Sequence, residues 1–510
     1  MSARRFPKAC VASPHHLATA VGRDVLATGG NAMDAAIATN LALGVVAPYL
    51  CGYGGDLFAI VAGRGAVVGY NGSGRAPAAA TPEAVGEATG QDIMPTFGPL
   101  TVTVPGAVAG WFDLLARFGN RTFAELAGPS IRLADEGFAL SEMAAASIAR
   151  AKARFEGKTD WLAVYGDAQP GRALRQTGLA SAIRLLAAEG PDAFYRGPIA
   201  GAIIAFLDSH GGLLAAEDLA AHHGDWVEPL VGAYRNVEVL ELPPNTQGAT
   251  VLEALGILED GGPLPPDGAE RQHLLIEATK LALSDRDADA MHVDVHELLS
   301  DGRVAERGRR FDPGRSGAPV AGRVSSGGTA YCCAADADGM LVSLIQSNWM
   351  GFGSGMTVPG WGINLHNRGA YFSLEAGHAN VIAPGKRTLH TLIPGLAVRD
   401  GRPWLAFGSM GGDGQAQTHV QLLARLIDDG QDPQTAIDAP RWFVSPATWS
   451  VTGESRFDAG VLDGLRARGH ELMVTGPFDP VMGHAHAIVV TGDGYLGGTD
   501  PRAEGAVLGF

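Results

Sequence analysis

At 510 residues, with 46% hydrophobic and 18% charged residues, the chain holds more than enough apolar material for a large core and too much for extensive disorder. A net charge of -16, with no dense basic run, excludes a nucleic-acid-binding surface. The first sixteen residues lack the ~7 to 15 apolar residues of a secretory signal, so a cytoplasmic location is the expectation.

In chain order, the most apolar window, 35–50, is interrupted by Thr39, Asn40, Gly44 and Pro48 and is shorter than the ~20 residues that span a bilayer. It predicts a buried helix, with Gly29 and Gly30 ahead of it, Asn31 and Asp34 in its first turn and Pro48 at its end. The string CGYGGD at 51–56 precedes a strand-like run, 57–62. A dinucleotide loop instead follows a strand and opens a helix, so tight packing or a turn is the better reading. Helical spacing covers 107–118, 122–137, 179–188, 199–209 and 270–287. Past Gly322 the pattern changes to apolar alternation with Gly-containing turns, clearest in a hairpin around 336–339. Strands are predicted at 392–398 and 404–407, joined through Arg399, Asp400 and Gly401. Helices at 418–429 and 433–437 and a strand pair at 484–490 and 494–499 follow. No repeat or linker divides the chain, and the mixture fits an α+β fold better than alternating βαβ units.

Several chemistries are disfavoured. The cysteines, Cys10, Cys51, Cys332 and Cys333, show no CxxC spacing, and the neighbours Cys332 and Cys333 should point to opposite strand faces as packing residues. His484 and His486 share a strand face and His15 and His16 are adjacent, but neither pair has a carboxylate or cysteine at ligand spacing, so neither a metal nor a cofactor is expected. The string FGSMG at 407–411 has Phe407 where a GxSxG elbow needs glycine.

The segment 326–348, SGGTAYCCAADADGMLVSLIQSN, places Thr329 behind Gly327 and Gly328 at the head of the hairpin. Cleavage of the Gly328-Thr329 bond would put a free α-amine beside the Thr329 hydroxyl, nucleophile and general base on one residue. An α-amine titrates near ~7.7 to 8 and can take the hydroxyl proton near neutrality. Taken alone, a threonine at a strand start is simply a good β-former.

The strings GGNAMDAAIATNLALGVVAP, GYGGDLF, TVTVPGAVAGW, ELPPNTQGAT, EATKLALSDRD, FGSGMTVPGWGINLHNRG, DAPRW and DPRAEG together resemble the gamma-glutamyltransferase family over nearly the whole chain. The resemblance implies an N-terminal nucleophile hydrolase: an αββα sandwich of two stacked, mainly antiparallel sheets between helix layers. It also implies one precursor cut into a large subunit, 1–328, and a small subunit, 329–510, together forming one catalytic unit, with oligomeric state left open. Thr329 matches the nucleophile, Gly327 and Gly328 the autoprocessing turn, and Gly411 and Gly412 the paired oxyanion glycines. Ser347 matches a hydroxyl position beside the nucleophile that could orient the α-amine.

The chain departs from the family's γ-glutamyl recognition pattern. Ser73 stands at the family arginine's place, with Arg75 displaced by two positions, and Tyr371 replaces the acidic residue that binds the substrate α-amine. Trp349 and Arg368 occupy positions ordinarily held by asparagine and glutamine, and His390 and Thr391 replace a pair of serines. The exchange removes an anion and adds a cation, which favours a carboxylate-bearing acyl group without an α-amine, Arg368 holding the carboxylate in bidentate fashion unless it forms an internal ion pair. The overall pattern looks most like the family's oxamate amidohydrolase and acylase-like branch. The expected partner is therefore a small-molecule amide, oxamate-like or glutaryl-like, with no nucleic acid and no membrane. Two alternatives stay open: a gamma-glutamyltransferase or glutathione hydrolase with a rearranged pocket, and an uncleaved, catalytically silent binding protein.

Overall fold

Successive residues of the strand Gly328–Ala335 alternate between two apolar environments. Ala330, Cys332 and Ala334 join a cluster that contains the helix Ala32–Val46, while Tyr331, Cys333 and Ala335 join one that contains Leu396, Ala406 and Ile488. The two adjacent cysteines thus serve opposite faces as packing residues, and all four cysteines are buried and free. The computed structural model describes residues 3–63, 65–289, 294–310, 312–319 and 328–510. Gly327, one of the two glycines expected to shape the cleavage turn, lies outside the described residues.

Two seven-stranded sheets account for the alternation. One runs in the order Ala506–Gly509, Cys10–Ser13, Gly328–Ala335, Leu341–Trp349, Asp56–Gly63, Ala66–Asn71 and Asp225–Val227. The other runs Arg4–Phe6, Gly494–Thr499, Ala485–Thr491, Arg402–Ser409, Gly395–Arg399, Val237–Glu241 and Leu230–Tyr234. Neighbouring strands within each sheet are antiparallel. An apolar layer that includes Phe58, Ile60, Tyr331, Ile345, Leu392 and Ile488 lies between the sheets, and helices cover both outer faces. This is the αββα sandwich.

The central hairpin turns where expected: Asp336 Oδ1 accepts the amides of Asp338 and Met340 at 3.0 and 3.1 Å, and Gly339 takes φ 84°. The helix Ala32–Val46 is buried along its whole length, and a reciprocal capping box between Asn31 and Asp34 opens it, worth about 1 kcal/mol. It ends at Val46 as expected of a helix closed by Pro48, which restricts Ala47 ahead of it. The strand expected at 392–398 starts at Gly395: Pro394 has no N-H to give a ladder, and the Ile393 amide donates instead to Gln415 Oε1 at 3.2 Å. The helix expected from Thr418 starts four residues earlier, as Gly414–Ile427. Among the described residues, no helix is long and apolar enough to cross a membrane.

Candidate active site

The site lies at the far end of the hairpin from the Asp336 turn, where the sheets' inner layer becomes polar. Thr329 is buried, and its hydroxyl donates to Ser347 Oγ at 3.3 Å. Ser347 Oγ also accepts the Trp349 amide at 2.7 Å and donates to the Gly328 carbonyl oxygen at 2.6 Å. One hydroxyl therefore touches both the expected nucleophile and the carbonyl of the bond expected to break. A bulge between Gly328 and Ala330 shifts the ladder here, and Trp349, opposite Gly328, adopts φ 69°, uncommon for an aromatic residue.

Trp349 leads to the substituted recognition positions. The Arg368 guanidinium lies over its ring, 4.8 Å from the centroid, and the Tyr371 ring meets it edge-on at 5.4 Å. Arg368 is buried; among the described residues it has one long hydrogen bond, Nη1 to Thr391 Oγ1 at 3.5 Å, and Nε and Nη2 have no partner. No carboxylate among the described residues forms an ion pair with it. Burial pushes its pKa down to about 10, against the pull of Asp56, Tyr371 and Asp413.

Asp56, for which the sequence suggested no role, organises this region. It stands opposite Ser347 in register, so both side chains leave the sheet on the same face. Its Oδ1 accepts the Gly74 and Gly106 amides at 3.0 and 3.2 Å, and its Oδ2 accepts His390 Nε2 at 3.0 Å. Burial alone would raise the Asp56 carboxyl; His366, His390 and Arg368 outweigh it and hold the group below the usual carboxylate range. The glycines are obligatory there, since a Cβ on Gly74 would meet Val104 O at 1.5 Å and one on Gly106 would meet Gly72 O at 1.6 Å. Ser73, beside Gly74, donates to Asn71 Oδ1 at 2.7 Å and accepts from Asn245 Nδ2 at 3.3 Å; the Asn245 carbonyl in turn accepts the His390 amide at 2.7 Å.

Gly411 and Gly412 follow the strand Arg402–Ser409 with φ 143° and 58°, and neither amide has an acceptor among the described residues. Met410, just ahead of them, lines a cavity of about 240 Å³ together with Gly328, Tyr49, Phe352 and His484. A larger cleft of about 770 Å³ lies at the opposite end of the hairpin, against Asp336 and Met340, away from this chemistry.

The sequence of the family described as Gamma-glutamyltranspeptidase matches residues 18–510. The chain belongs to the gamma-glutamyltranspeptidase family. It is 38% identical over 522 residues to the Glutathione hydrolase-like YwrD proenzyme of Bacillus subtilis, covering 99% of this chain and 98% of that one. It is 37% identical over 521 residues to the Oxamate amidohydrolase proenzyme of Klebsiella pneumoniae, covering 98% of each. The solved cephalosporin acylase from Bacillus halodurans superimposes with a TM-score of 0.95 at 39% identity, covering 100% of this chain and 97% of that one. This gamma-glutamyltranspeptidase family member is thus an amidohydrolase of the N-terminal nucleophile class.

The family member's fold brings Thr329, Ser347, Trp349, Arg368, Tyr371, His390, Thr391 and Ser73 into one connected neighbourhood and sets Gly411 and Gly412 beside it. Arg75 is not brought there. Its side chain is 43% exposed and lies 3.7 Å from Asp225, which also binds Arg387. Besides Asp56, the sequence reading, which considered His484 only as a metal ligand, missed its place in the cavity at Gly328, where it is buried with both ring nitrogens unpartnered among the described residues. It also missed a buried cluster of His273, Glu277 and His470, whose ligand-type atoms all lie within 4.8 Å of one another. The Lys280 ammonium occupies that cluster, 2.9 Å from Glu277 and 3.5 Å from His470 Nδ1, and His273 Nδ1 bonds to His470 Nε2 at 2.7 Å. This is the chemistry of an internal ion pair.

Burial, the leading cause in each case, pushes the pKa of His15, His390 and His486 down to about 3 and of His222 and His484 to about 4. Unfolded, each would bind a proton near pH ~6.5. The unfolded state therefore gains protons first, and the stability these rings contribute is intact above pH ~6.5 and is lost as pH falls toward ~3 to 4, each at up to about 1.4 kcal/mol per pH unit. Asp56 and Asp500, held below the usual range, act in the same direction at lower pH, whereas burial raises Glu241 and Glu253 and opposes it. The urea midpoint should be clearly lower at pH 5 than at pH 7.5. Equal midpoints would mean that these rings are charged in the folded state.

Proposed function

We propose that this protein is a self-processing amidohydrolase that hydrolyses small amides whose acyl group carries a carboxylate. Thr329 is the nucleophile and Arg368 the carboxylate receptor. The observation that carries this reading is the buried Arg368 guanidinium, two of its donors unpartnered, beside the Thr329–Ser347 pair. An unmet buried donor costs about 1 to 3 kcal/mol, more when charged, and a ligand carboxylate removes that cost.

In the uncleaved chain, Thr329 Oγ attacks the Gly328 carbonyl carbon. The Ser347 hydroxyl already donates to the oxygen that takes up the negative charge. Collapse breaks the C-N bond, the Thr329 nitrogen takes up the proton given up by the hydroxyl and leaves as an amine, and water hydrolyses the resulting ester. The products are a carboxylate on Gly328 and a free hydroxyl and α-amine on Thr329, dividing the chain into 1–328 and 329–510. In turnover, the α-amine takes the hydroxyl proton, Thr329 Oγ attacks the substrate carbonyl, and the substrate amine departs with a proton. Water then releases the acid. The Gly411 and Gly412 amides are the oxyanion donors.

γ-Glutamyl recognition also needs an anion for the α-ammonium. The two carboxylates whose charges act on Arg368 most directly are already engaged, Asp56 with His390 and Asp413 with Arg286 at 2.6 Å. Oxamate, for which one relative is named, carries a carboxylate beside its amide and no α-amine, which supports the reading. Ammonia release from oxamate, compared with p-nitroaniline release from γ-glutamyl-p-nitroanilide, tests it. Oxamate turnover with little or no anilide turnover is expected. Strong anilide turnover without oxamate activity would replace the reading with a γ-glutamyl hydrolase.

A further inference from the structure

We infer that Gln247 is a positioning residue that holds the Gly412 backbone in its oxyanion-binding orientation and ties it to the Arg368 end of the site. The inference rests on the roles of Thr329 and Gly412 given above. Gln247 is buried immediately ahead of the helix Gly248–Asp260 and makes no side-chain capping bond to it. Its Nε2 instead donates to two carbonyls from different loops, Thr391 O at 2.8 Å and Gly412 O at 3.0 Å. Its Oε1 accepts Arg286 Nη1 at 2.7 Å, and the same nitrogen reaches Asp413 Oδ1 at 2.6 Å. One carboxamide therefore joins the oxyanion loop, the loop whose Thr391 hydroxyl faces Arg368, and the Arg286–Asp413 ion pair.

A peptide plane carries the carbonyl of one residue and the N-H of the next. The Gly411 carbonyl accepts the Gly414 amide at 2.9 Å, which fixes the plane bearing the Gly412 N-H. The Gly412 carbonyl accepts the Gln415 amide at 3.1 Å and Gln247, which fixes the plane on the other side. Glycine has no side chain to oppose rotation, so both planes must be held from outside for the donor to be in place before charge develops. Gln247 is the side chain that holds the second plane.

Gln247→Glu separates orientation from mere packing. It keeps the size of the side chain and the Arg286 contact, but replaces the donor facing two carbonyls with an acceptor. In the cleaved protein, kcat on the carboxylate-bearing amide should fall by ~10²- to 10³-fold, the loss of one oxyanion donor, with KM within a few-fold. Gln247→Met, which lacks both donor and repelling charge, should lose less. Crystals of Gln247→Glu should show the Gly412 carbonyl turned away from residue 247. An unchanged Gly411–Asp413 backbone would overturn the inference, as would kcat within about threefold of wild type. The crystallographic arm decides it even if wild type cleaves no carboxylate-bearing amide, an outcome that would instead defeat the proposed function.

Discussion

Thr329→Ala should leave the protein as one band on a denaturing gel, while wild type resolves into two fragments, the smaller beginning at Thr329 on N-terminal sequencing. The expectation follows from where the hydroxyl sits: it donates to Ser347, which in turn donates to the Gly328 carbonyl, so nucleophile, relay and scissile carbonyl form one chain of contacts. Alanine removes the attacking atom and leaves the others in place. Removing a hydroxyl nucleophile costs on the order of 10⁶ in kcat in other hydrolases, and the proposed mechanism uses this one atom for both maturation and turnover, so both should fall below detection. Thr329→Ser keeps the hydroxyl and should still cleave. Ser347→Ala keeps the nucleophile but loses a donor to the developing oxyanion, and should slow cleavage by ~10²- to 10³-fold. Two fragments from Thr329→Ala, or an intact wild-type chain after prolonged incubation, would rule out self-cleavage at this bond.

How much of this was readable from sequence depended on the reach of each contact. The helix Ala32–Val46 and the central hairpin announced themselves because capping box, apolar run and Asp-Gly turn are local. Thr329 gained meaning through the family strings, for nothing in its immediate neighbours distinguishes a nucleophile from a strand-forming threonine. Asp56 carried a readable but unused signal: a carboxylate behind two glycines, heading an otherwise apolar buried strand, must be satisfied by something. The groups that satisfy it, Gly74, Gly106 and His390, lie 18 to 334 positions away, and only the folded sheet brings them together. Gln247 was hidden for the same reason, since its partners are Arg286, Thr391 and Gly412. The His273–Glu277 spacing was local, but His470, which completes that cluster, comes from 197 residues further on. Arg75 illustrates the converse: it lies only two positions from Ser73, yet Ser73 is buried against Asn71 and Asn245 while the Arg75 side chain reaches the surface.

Arg368→Leu should cut kcat/KM for carboxylate-bearing amides by roughly 30-fold to several thousand-fold, the equivalent of 2 to 5 kcal/mol for losing one side of a buried charge pair. Arg368→Lys should not restore it, because a point charge lacks the fork that meets two carboxylate oxygens and the plane that stacks on Trp349. Stability should move differently. Arg368 is desolvated, leaves Nε and Nη2 unpartnered and makes one long bond to Thr391, so replacing it with an apolar side chain abandons no direct carboxylate partner. The thermal midpoint of Arg368→Leu should therefore equal or exceed that of wild type while activity collapses, as expected of a residue kept for function at the expense of stability. Self-cleavage should continue, because the Thr329–Ser347–Gly328 contacts do not include Arg368. A variant that matures normally, is at least as stable and has lost carboxylate-bearing substrates assigns the guanidinium to substrate. Unchanged kcat/KM with a lower midpoint would make Arg368 a structural residue and leave the carboxylate preference without a receptor.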